Sequence, residues 1–379
     1  MDLQLTEEQE LIIKMAREFA ETEVGPKAAE VDKNHRFPEE TVARMAELGL
    51  MGIPIPEEYG GSGSDYLTYV MVVEELARAC ATTGVILSVH MSVCTYPIFQ
   101  LGSDDQKKKY VVPLAAGEKL GAFALTEPGA GSDAAAQQTT AVLDGGHYVL
   151  NGTKCFITNG AYADVFIVAA MTDKSKGTKG ISTFIVEKGF PGFSVGQTED
   201  KMGLKGSSTT EIILKECRVP VENLLGKEGD GFKVAMAALD GGRISIAAQA
   251  VGIAQASLDA SVAYAKERKQ FGKPIASFQA IQFMIAEMAT KIEAARGLVH
   301  RAAWLKDHHL PVTQTSAMAK YYAAEVASWC SNRAVQIHGG AGYTTAYPAE
   351  RLMRDAKVTE IYEGTTEIQK MVIAGSLLR

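Results

Sequence analysis

The residues able to do chemistry fall in a few short stretches, and the one containing a candidate base lies near the C-terminus. Ile361-Tyr362-Glu363-Gly364-Thr365-Thr366-Glu367-Ile368-Gln369 sets a carboxylate between an aromatic ring and a glycine. Tyr362 would partly withdraw the Glu363 carboxylate from water, and Gly364 lets the backbone pass close to a ligand. Thr365, Thr366 and Glu367 add hydrogen-bonding groups with little bulk. Such a loop suits removal of a carbon-bound proton beside a cofactor. The competing reading is a solvated surface Glu, since the chain has 45 acidic residues.

Other stretches offer binding groups. Residues 125–134 end a β-prone run, and Gly129-x-Gly131-x-x-Ala134 is formally a dinucleotide-binding fingerprint. That fingerprint needs a helix starting at the glycines, whereas a second β-prone run, 139–143, and a hairpin signal follow. What remains is a strand end with the Thr126 hydroxyl, open backbone amides and Ser132, able to hydrogen-bond a flat heterocycle or a phosphate; a purely structural loop is the alternative. In the stretch 154–160, Phe156 and Thr158 fall on one side of a strand. Phe156 covers a ring whose edge Thr158 touches, or else it is a core residue. Arg268-Lys269-Gln270-Phe271-Gly272-Lys273 ends a helix with cations, which the helix dipole favours in any case; Arg268 equally suits a pyrophosphate, with Gln279 nearby. Gln336-Ile337-His338-Gly339-Gly340-Ala341-Gly342-Tyr343 permits close backbone approach but lacks the GK[ST] of a P-loop. Asp240-Gly241-Gly242-Arg243 places two glycines in an alanine-rich helix, at about 1 kcal/mol each relative to alanine. Either a ligand chain crosses there or helices pack closely. The seven histidines include no i, i+4 ligand pair, so metal catalysis has no support.

The frame for these stretches changes character twice. Thr6-Glu7-Glu8-Gln9 reads as a capping box opening an amphipathic helix, Pro38 as the first turn of another that Gly49 closes, and 67–80 and 85–99 as two buried helices. From Gly121, short β-prone runs take over: 122–125, 139–143, 147–150, 155–158, 165–170, 181–186 and 210–214. They predict a small antiparallel sheet that leans on the helical parts for burial. From Gly231 the helical period returns in three long segments and a short last one, with Ser277 predicted to cap the second and Thr313 or Thr315 the third. Small residues from Ala235 to Ala254 permit close helix approach or suit a partner subunit's backbone. The predicted domains are 1–117 (helical), 118–226 (β) and 227–379 (helical bundle).

Composition narrows the function. The chain has 379 residues, 46% of them hydrophobic, and a net charge of −7 without a basic run, which points away from nucleic acid and anionic membranes and toward metabolites. Five scattered cysteines without a CxxC pair argue against a disulfide framework or a zinc site. No apolar run is expected to reach membrane-spanning length and no leader is visible, so the expectation is a bacterial cytoplasmic protein or a mature mitochondrial matrix form.

In this order and spacing, ALTEPGAGSD (124–133), KCFITNG (154–160), RKQFGKP (268–274), QIHGGAGY (336–343) and IYEGTTEIQ (361–369) resemble the motifs of the acyl-CoA dehydrogenase family, over essentially the whole chain. LDGGRI (239–244) and the Thr-Thr-Glu after Glu363 resemble its short-chain, butyryl-CoA-type members. The resemblance implies a helical N-terminal domain, a β middle domain and a C-terminal four-helix bundle, assembled as a homotetramer, a dimer of dimers, with FAD near the subunit interfaces. By motif match, Phe123, Leu125, Thr126, Gly131 and Ser132, with Phe156, Ile157 and Thr158, line the flavin ring and nearby phosphates. Arg268, Gln270, Phe271, Gln279, Gln336, Ile337, His338, Gly339 and Gly340 meet the FAD of a neighbouring subunit, and Thr365, Thr366 and Glu367 hold the flavin from the C-terminal side. Ser132, Asp240, Gly241, Gly242, Arg243, Glu363 and Gly364 touch the acyl-CoA.

Glu363 then removes the α-proton and hydride leaves the β-carbon for flavin N5, giving a trans-2-enoyl-CoA, with electrons passing to an electron-transferring flavoprotein. The implied alternatives are a branched or cyclic acyl-CoA, an oxygen-using oxidase, or a silent flavin- or CoA-binding scaffold. Some branched-chain relatives carry the base at the position of Gly242, and glutaryl-CoA enzymes an Arg in the helix around 84–91; neither is present. Ala346 stands where the family usually has an acid, which puts one local contact in doubt.

Overall fold

The computed structural model describes residues 5–378. Thr6 Oγ1 accepts the backbone N–H of Gln9 and the Gln9 side chain accepts that of Thr6, so the capping box forms and opens α1 (Glu7–Phe19). Helices α2 (Ala28–Lys33) and α3 (Glu39–Glu47) follow. Pro38 stands at the cap of α3, one residue before its first turn, and Gly49 closes the helix at φ 71°. Helix α4 (Tyr66–Ala79) is capped by Asp65 and also by the distant Asp307, which accepts the N–H groups of Tyr66 and Leu67.

Helix α5 (Ala81–Val89) begins four residues before the predicted 85 and runs through a π turn, His90–Thr95, into α6 (Tyr96–Leu101). By length and composition alone this 21-residue stretch is long and apolar enough to cross a membrane, where the sequence reading expected no such run; 83% of its apolar window is buried in the protein. Its residues are core residues. Short helices α7 (Asp104–Gln106) and α8 (Val112–Ala115) lead to the sheet.

The strands are β1 (Gly121–Ala124), β2 (Thr140–Asp144), β3 (His147–Thr158), β4 (Val165–Met171), β5 (Ile181–Glu187), β6 (Phe193–Thr198), β7 (Thr209–Pro220) and β8 (Leu224–Leu225). They lie in the order β6-β7-β3-β2-β4-β5-β8, with β1 added on β4. Two expectations need correcting. Runs 147–150 and 155–158 are one strand, bent by bulges against β7. The sheet is also mixed, because β4 pairs in parallel with β1 and touches β2 in parallel. A loop and the β2–β3 hairpin intervene between β1 and β4, enough chain for a parallel return. One sheet face has its own core, with Phe166, Val168, Phe184 and Ile212. The other shares Val165, Ile167 and Ile185 with the helices.

His90 ties the π turn to β1. Burial pushes its imidazole down to about 4, the Gly121 N–H donates to Nδ1, and Nε2 is left to donate to Leu114 O.

After the sheet comes α9 (Gly231–Glu267), then a two-strand hairpin, β9 (Lys269–Gln270) and β10 (Lys273–Pro274), then α10 (Gln279–Asp307), α11 (Thr313–His338), α12 (Ala349–Lys357) and α13 (Thr366–Leu377). Helix α9 packs on α4, α10 and α11. Its small residues serve contacts within the chain: a Cβ on Gly252 would stand 2.4 Å from Glu74 O of α4. The predicted caps differ. Phe278 precedes α10 while the Ser277 hydroxyl donates to Pro274 O, and Thr313 already lies inside α11, donating to Asp240. Thr315 is likewise inside the helix.

Candidate active site

The chain between α12 and α13 is fixed at both ends. A 3-10 turn, Val358–Glu360, ends the first helix, and Thr365 caps the second by accepting the N–H of Ile368. Between them the backbone is left-handed at Glu363 (φ 54°) and Gly364 (φ 88°). A non-glycine residue stays there only when its surroundings hold it. Here Lys320 Nζ, from α11, donates to Gly364 O at 2.7 Å. The fully buried Gln369 donates to Glu363 O at 3.0 Å and to Gly364 O at 2.9 Å. The Tyr362 hydroxyl reaches Gln249 of α9, while its ring packs on the main core.

The Glu363 side chain runs to α9. The residue as a whole is half-buried, but its Oε2 is shielded from solvent and has no hydrogen-bond partner. A Cβ on Gly242 would stand 2.6 Å from that oxygen and 2.9 Å from Val93 Cγ1 of the π turn. Gly242 therefore makes room for the carboxylate, and a side chain at 242 would enter the same space. Its neighbour Gly241 lies under Tyr66, whose hydroxyl donates to Gly241 O at 3.0 Å. Burial pushes the Glu363 acid up to about 7, against the pull of the Arg243 and Lys320 charges. A carboxylate so poised accepts a proton near neutral pH.

Arg243 is buried, pairs with Asp240 at 2.7 Å and keeps its Nε unpartnered. Asp240 also accepts the Thr313 hydroxyl at 2.6 Å. The structure thus brings the 240–243 stretch, Lys320 and Glu363 together.

A second group meets at the sheet. Lys154 is fully buried and donates to Leu125 O (3.0 Å), Glu127 Oε1 (2.8 Å) and Gln137 Oε1 (3.2 Å). Glu127 accepts the backbone N–H groups of Gln138 and Thr139. Burial presses Lys154 down to about 8; burial would raise the Glu127 acid, but Lys154 and its hydrogen bonds bring it below its ordinary value. These contacts tie both ends of the 125–139 loop from beneath, while a Cβ on Gly129 or Gly131 would meet only open space. The Cys155 N–H donates to Thr126 O, which places the two predicted stretches side by side. Phe156 sits at φ 57° in a β bulge and is 61% exposed, so it is no core residue; Ile157, 2% exposed, takes the inward position. Thr158 and Phe123 are half-buried, Leu125 is buried and Ser132 is exposed.

The third group surrounds a cavity of about 590 Å³ between the end of α9 and the end of α11, lined by Arg268, Gln270, Ile337, His338, Gly339 and Gly340 together with Tyr264 and Tyr347. The His338 ring stacks on Tyr264 at 4.3 Å. Gly339 and Gly340 face open space, and Arg268 has no ion pair among the described residues. Open backbone and an uncommitted guanidinium suit an anionic diphosphate. Phe271, Gln279 and Gln336 are exposed and lie outside this lining; the half-buried Glu363 loop lies outside it too. On the loop side, Thr366 is buried and Glu367 exposed, the latter's acid brought below its ordinary value mainly by its own backbone N–H at the start of α13.

Sequence reasoning missed several residues of this site. Lys154 and Glu127 lie within recognised motifs, and their sequence separation hid their pairing. Lys320 stands alone in Ala317-Met318-Ala319-Lys320, where a cation on an alanine-rich stretch was the available signal. Gln369 closes the base motif, and Val93 reads only as an apolar helix residue.

Residues 6–118, 122–217 and 229–378 match the N-terminal, middle and C-terminal domains of the acyl-CoA dehydrogenase family. Two relatives, each aligned over the whole chain, are a short-chain-specific acyl-CoA dehydrogenase of Clostridium acetobutylicum, 58% identical and covered in full, and an acryloyl-CoA reductase (NADH) of Anaerotignum propionicum, 55% identical over 96% of its length. Two solved structures superimpose at a TM-score of 0.99, with full coverage of both chains. One is butyryl-CoA dehydrogenase from Megasphaera elsdenii, 50% identical; the other, 56% identical, belongs to a study of the electron transferring flavoprotein of Acidaminococcus fermentans and flavin-based electron bifurcation. The chain belongs to the acyl-CoA dehydrogenase family, whose three-domain fold and FAD dependence it shares.

Proposed function

We propose that this protein removes the α-proton and a β-hydride from a short straight-chain acyl-CoA, with butyryl-CoA as the reference substrate, and that Glu363 is the base. The observation that carries this is the Glu363 carboxylate: dry, unpartnered at Oε2, poised at about 7 and set against a glycine that leaves it room. A thioester α-proton is weakly acidic, so a base with an unused lone pair in a water-poor site is what its removal needs. The exposed ring of Phe156, the Thr126–Ser132 edge and the open glycines at 129 and 131 fit a flat heterocycle, as the 590 Å³ cavity with Arg268 and Gly339-Gly340 fits a diphosphate, so the residues present suit FAD. When bound, FAD supplies the hydride acceptor.

Roles for the chain's own groups follow. Phe123, Leu125, Thr126, Gly131, Ser132, Phe156, Ile157 and Thr158 hold the ring side. Arg268, Gln270, Phe271, Gln279 and Gln336 to Gly340 serve the FAD of a second copy, consistent with a cavity whose lining excludes the Glu363 loop. Thr365, Thr366 and Glu367 support the ring from the loop. Asp240 to Arg243, Ser132 and Gly364 orient the thioester chain. Short chains are favoured because Val93 and Tyr66 crowd the space around Gly241 and Gly242. The acceptor of the electrons is an electron-transferring flavoprotein, and the assembly is a homotetramer.

The test is anaerobic. Butyryl-CoA is expected to bleach the flavin band of the purified protein rapidly, longer, branched and cyclic acyl-CoAs more slowly, and Glu363→Gln should bind FAD and butyryl-CoA yet keep its flavin oxidised. Normal bleaching by that variant would overturn the assignment of the base; a band bleached only by a branched or cyclic acyl-CoA would overturn the substrate.

A further inference from the structure

We propose that Lys320 and Gln369 are positioning residues for the base: together they fix both carbonyls of its left-handed turn, and the Lys320 ammonium holds the Glu363 carboxylate in its proton-accepting form. This rests on Glu363 being the base.

The geometry begins with the backbone. At φ 54° and 88°, Glu363 and Gly364 form a left-handed turn whose two carbonyls face donors of Gln369 and Lys320. Gln369 gives one amide N–H to each carbonyl, and Lys320, from the facing helix, gives a second donor to Gly364 O at 2.7 Å. Gln369 spends its amide on these two carbonyls alone, being fully buried with no partner for its Oε1. Turning the amide over would set that oxygen against two carbonyls, so the unpartnered acceptor is the smaller penalty. The contact is also close, since a Cβ on Gly364 would stand 2.6 Å from Gln369 Nε2.

The electrostatics are separable from the anchoring. The charged and titratable groups facing Glu363 are Arg243 from α9, Lys320 from α11, Tyr66 and Tyr69 from α4, and Tyr362 on its own loop; the π turn contributes the apolar Val93. Burial raises the hydroxyls of all three tyrosines, so they stay neutral. Arg243 is already engaged with Asp240. Lys320 has no acidic side chain within ion-pair distance among the described residues; burial lowers it to about 8 and Glu363 is the foremost group raising it. Arg243 acts more strongly on the base but shares its charge with Asp240, whereas Lys320 is a fully buried cation without an acidic side-chain partner.

The probe is a 3-thiaacyl-CoA carrying deuterium at the α-carbon. Its sulfur bears no hydrogen, so no hydride leaves. The C–D bond breaks, the deuteron passes to Glu363, the electron pair stays on the thioester enolate, and a solvent proton returns. Loss of label from the holoenzyme complex is followed by NMR across pH for wild type, Lys320→Met, Lys320→Arg and Gln369→Leu. Lys320→Met should move the midpoint of the pH profile up by about 1 unit, which is roughly tenfold slower exchange on the acid side. Lys320→Arg should restore the midpoint. Gln369→Leu, which removes no charge, should lower the plateau by about tenfold and leave the midpoint in place.

A wild-type midpoint in Lys320→Met overturns the electrostatic role whatever its plateau, and a wild-type plateau in Gln369→Leu overturns the anchor. A purely structural Lys320 would lower exchange at every pH with no shift. Should Lys320→Met not fold, Lys320→Gln gives the same discrimination. Glu363→Gln is run alongside: exchange that survives there sinks the base itself, whereas exchange lost there with an unmoved Lys320→Met profile sinks only the role of Lys320.

Discussion

The buried Glu363 carboxyl should cost the fold stability, and by an amount that depends on pH. The perturbation is Glu363→Gln in the resting enzyme, compared with wild type without acyl-CoA. In the folded chain the Glu363 acid is pushed from its ordinary 4.5 up to about 7. Between those values the folded protein keeps a proton that the unfolded chain has released. Stability therefore falls as pH rises through this window and stays lower above it. A gap from 4.5 to about 7 is worth at most about 3 kcal/mol, at roughly 1.4 kcal/mol per pH unit. Gln does not titrate, so the variant escapes this loss. The assay is thermal melting of the two proteins from pH 4.5 to 8.5 at one scan rate and one FAD concentration. Groups common to both cancel in the difference between melting temperatures, and so does any pH-independent cost of the Gln amide. That difference should move in favour of Glu363→Gln as pH rises, level off above about 7, and amount to several degrees, on the order of 2 °C per kcal/mol. A difference that stays flat across the range would refute the reasoning, because it would mean that Glu363 titrates like an ordinary solvated acid.

Other expectations follow from the same geometry. Gly242→Ala should slow butyryl-CoA-driven flavin reduction by about 100-fold, because its Cβ would stand 2.6 Å from Glu363 Oε2; its melting temperature should stay within a few degrees of wild type. Lys154→Met leaves Glu127 buried without its cation and should cost about 3–5 kcal/mol in urea unfolding, together with FAD content after purification. Adding Glu127→Gln should recover part of both losses. Gly364→Ala places a side chain at φ 88° against Gln369 and should cost about 1–3 kcal/mol, read by melting, with a fall in turnover larger than the stability loss accounts for.

Much of the candidate site was legible because its residue types are unusual for their surroundings. A carboxylate beside a glycine, two glycines in an alanine-rich helix and a glycine cluster after a helix are each unusual enough to mark a place. What could not be read was who supports them. Lys320 is 44 residues from the carbonyl it holds, and its alanine-rich surroundings mark it as an inward cation without saying what it meets. Lys154 and Glu127 are 27 residues apart, and only the folding of loop 125–139 over β3 turns two ordinary charges into a buried pair. In the fold, the helices with strong apolar period were read nearly to their ends. The caps failed where Ser277 and Thr313 found better partners than a helix terminus. Strand β6 escaped because its apolar alternation, Phe193 and Val195, is only two residues deep before Gly196 and the polar Gln197 and Thr198, as suits a strand at the sheet edge.

The π turn at His90–Thr95 has a consequence for how this protein's pocket can diverge. Such a turn holds one residue more than the α-helical turn it replaces, so every side chain beyond it is swung by about 100° relative to an uninterrupted helix. Val93 lies within this turn, its Cγ1 2.9 Å from where a Cβ on Gly242 would stand. Loss of a single codon within the turn would restore regular helix, carry Val93 away and bring a different side chain to the same wall. Glu363 and its anchors lie on other elements, while α9 touches this stretch through Ser245, whose hydroxyl donates to Ser92 Oγ. A lineage can thus exchange the side chain facing Gly242 in one discrete step, like a gear moved by one tooth.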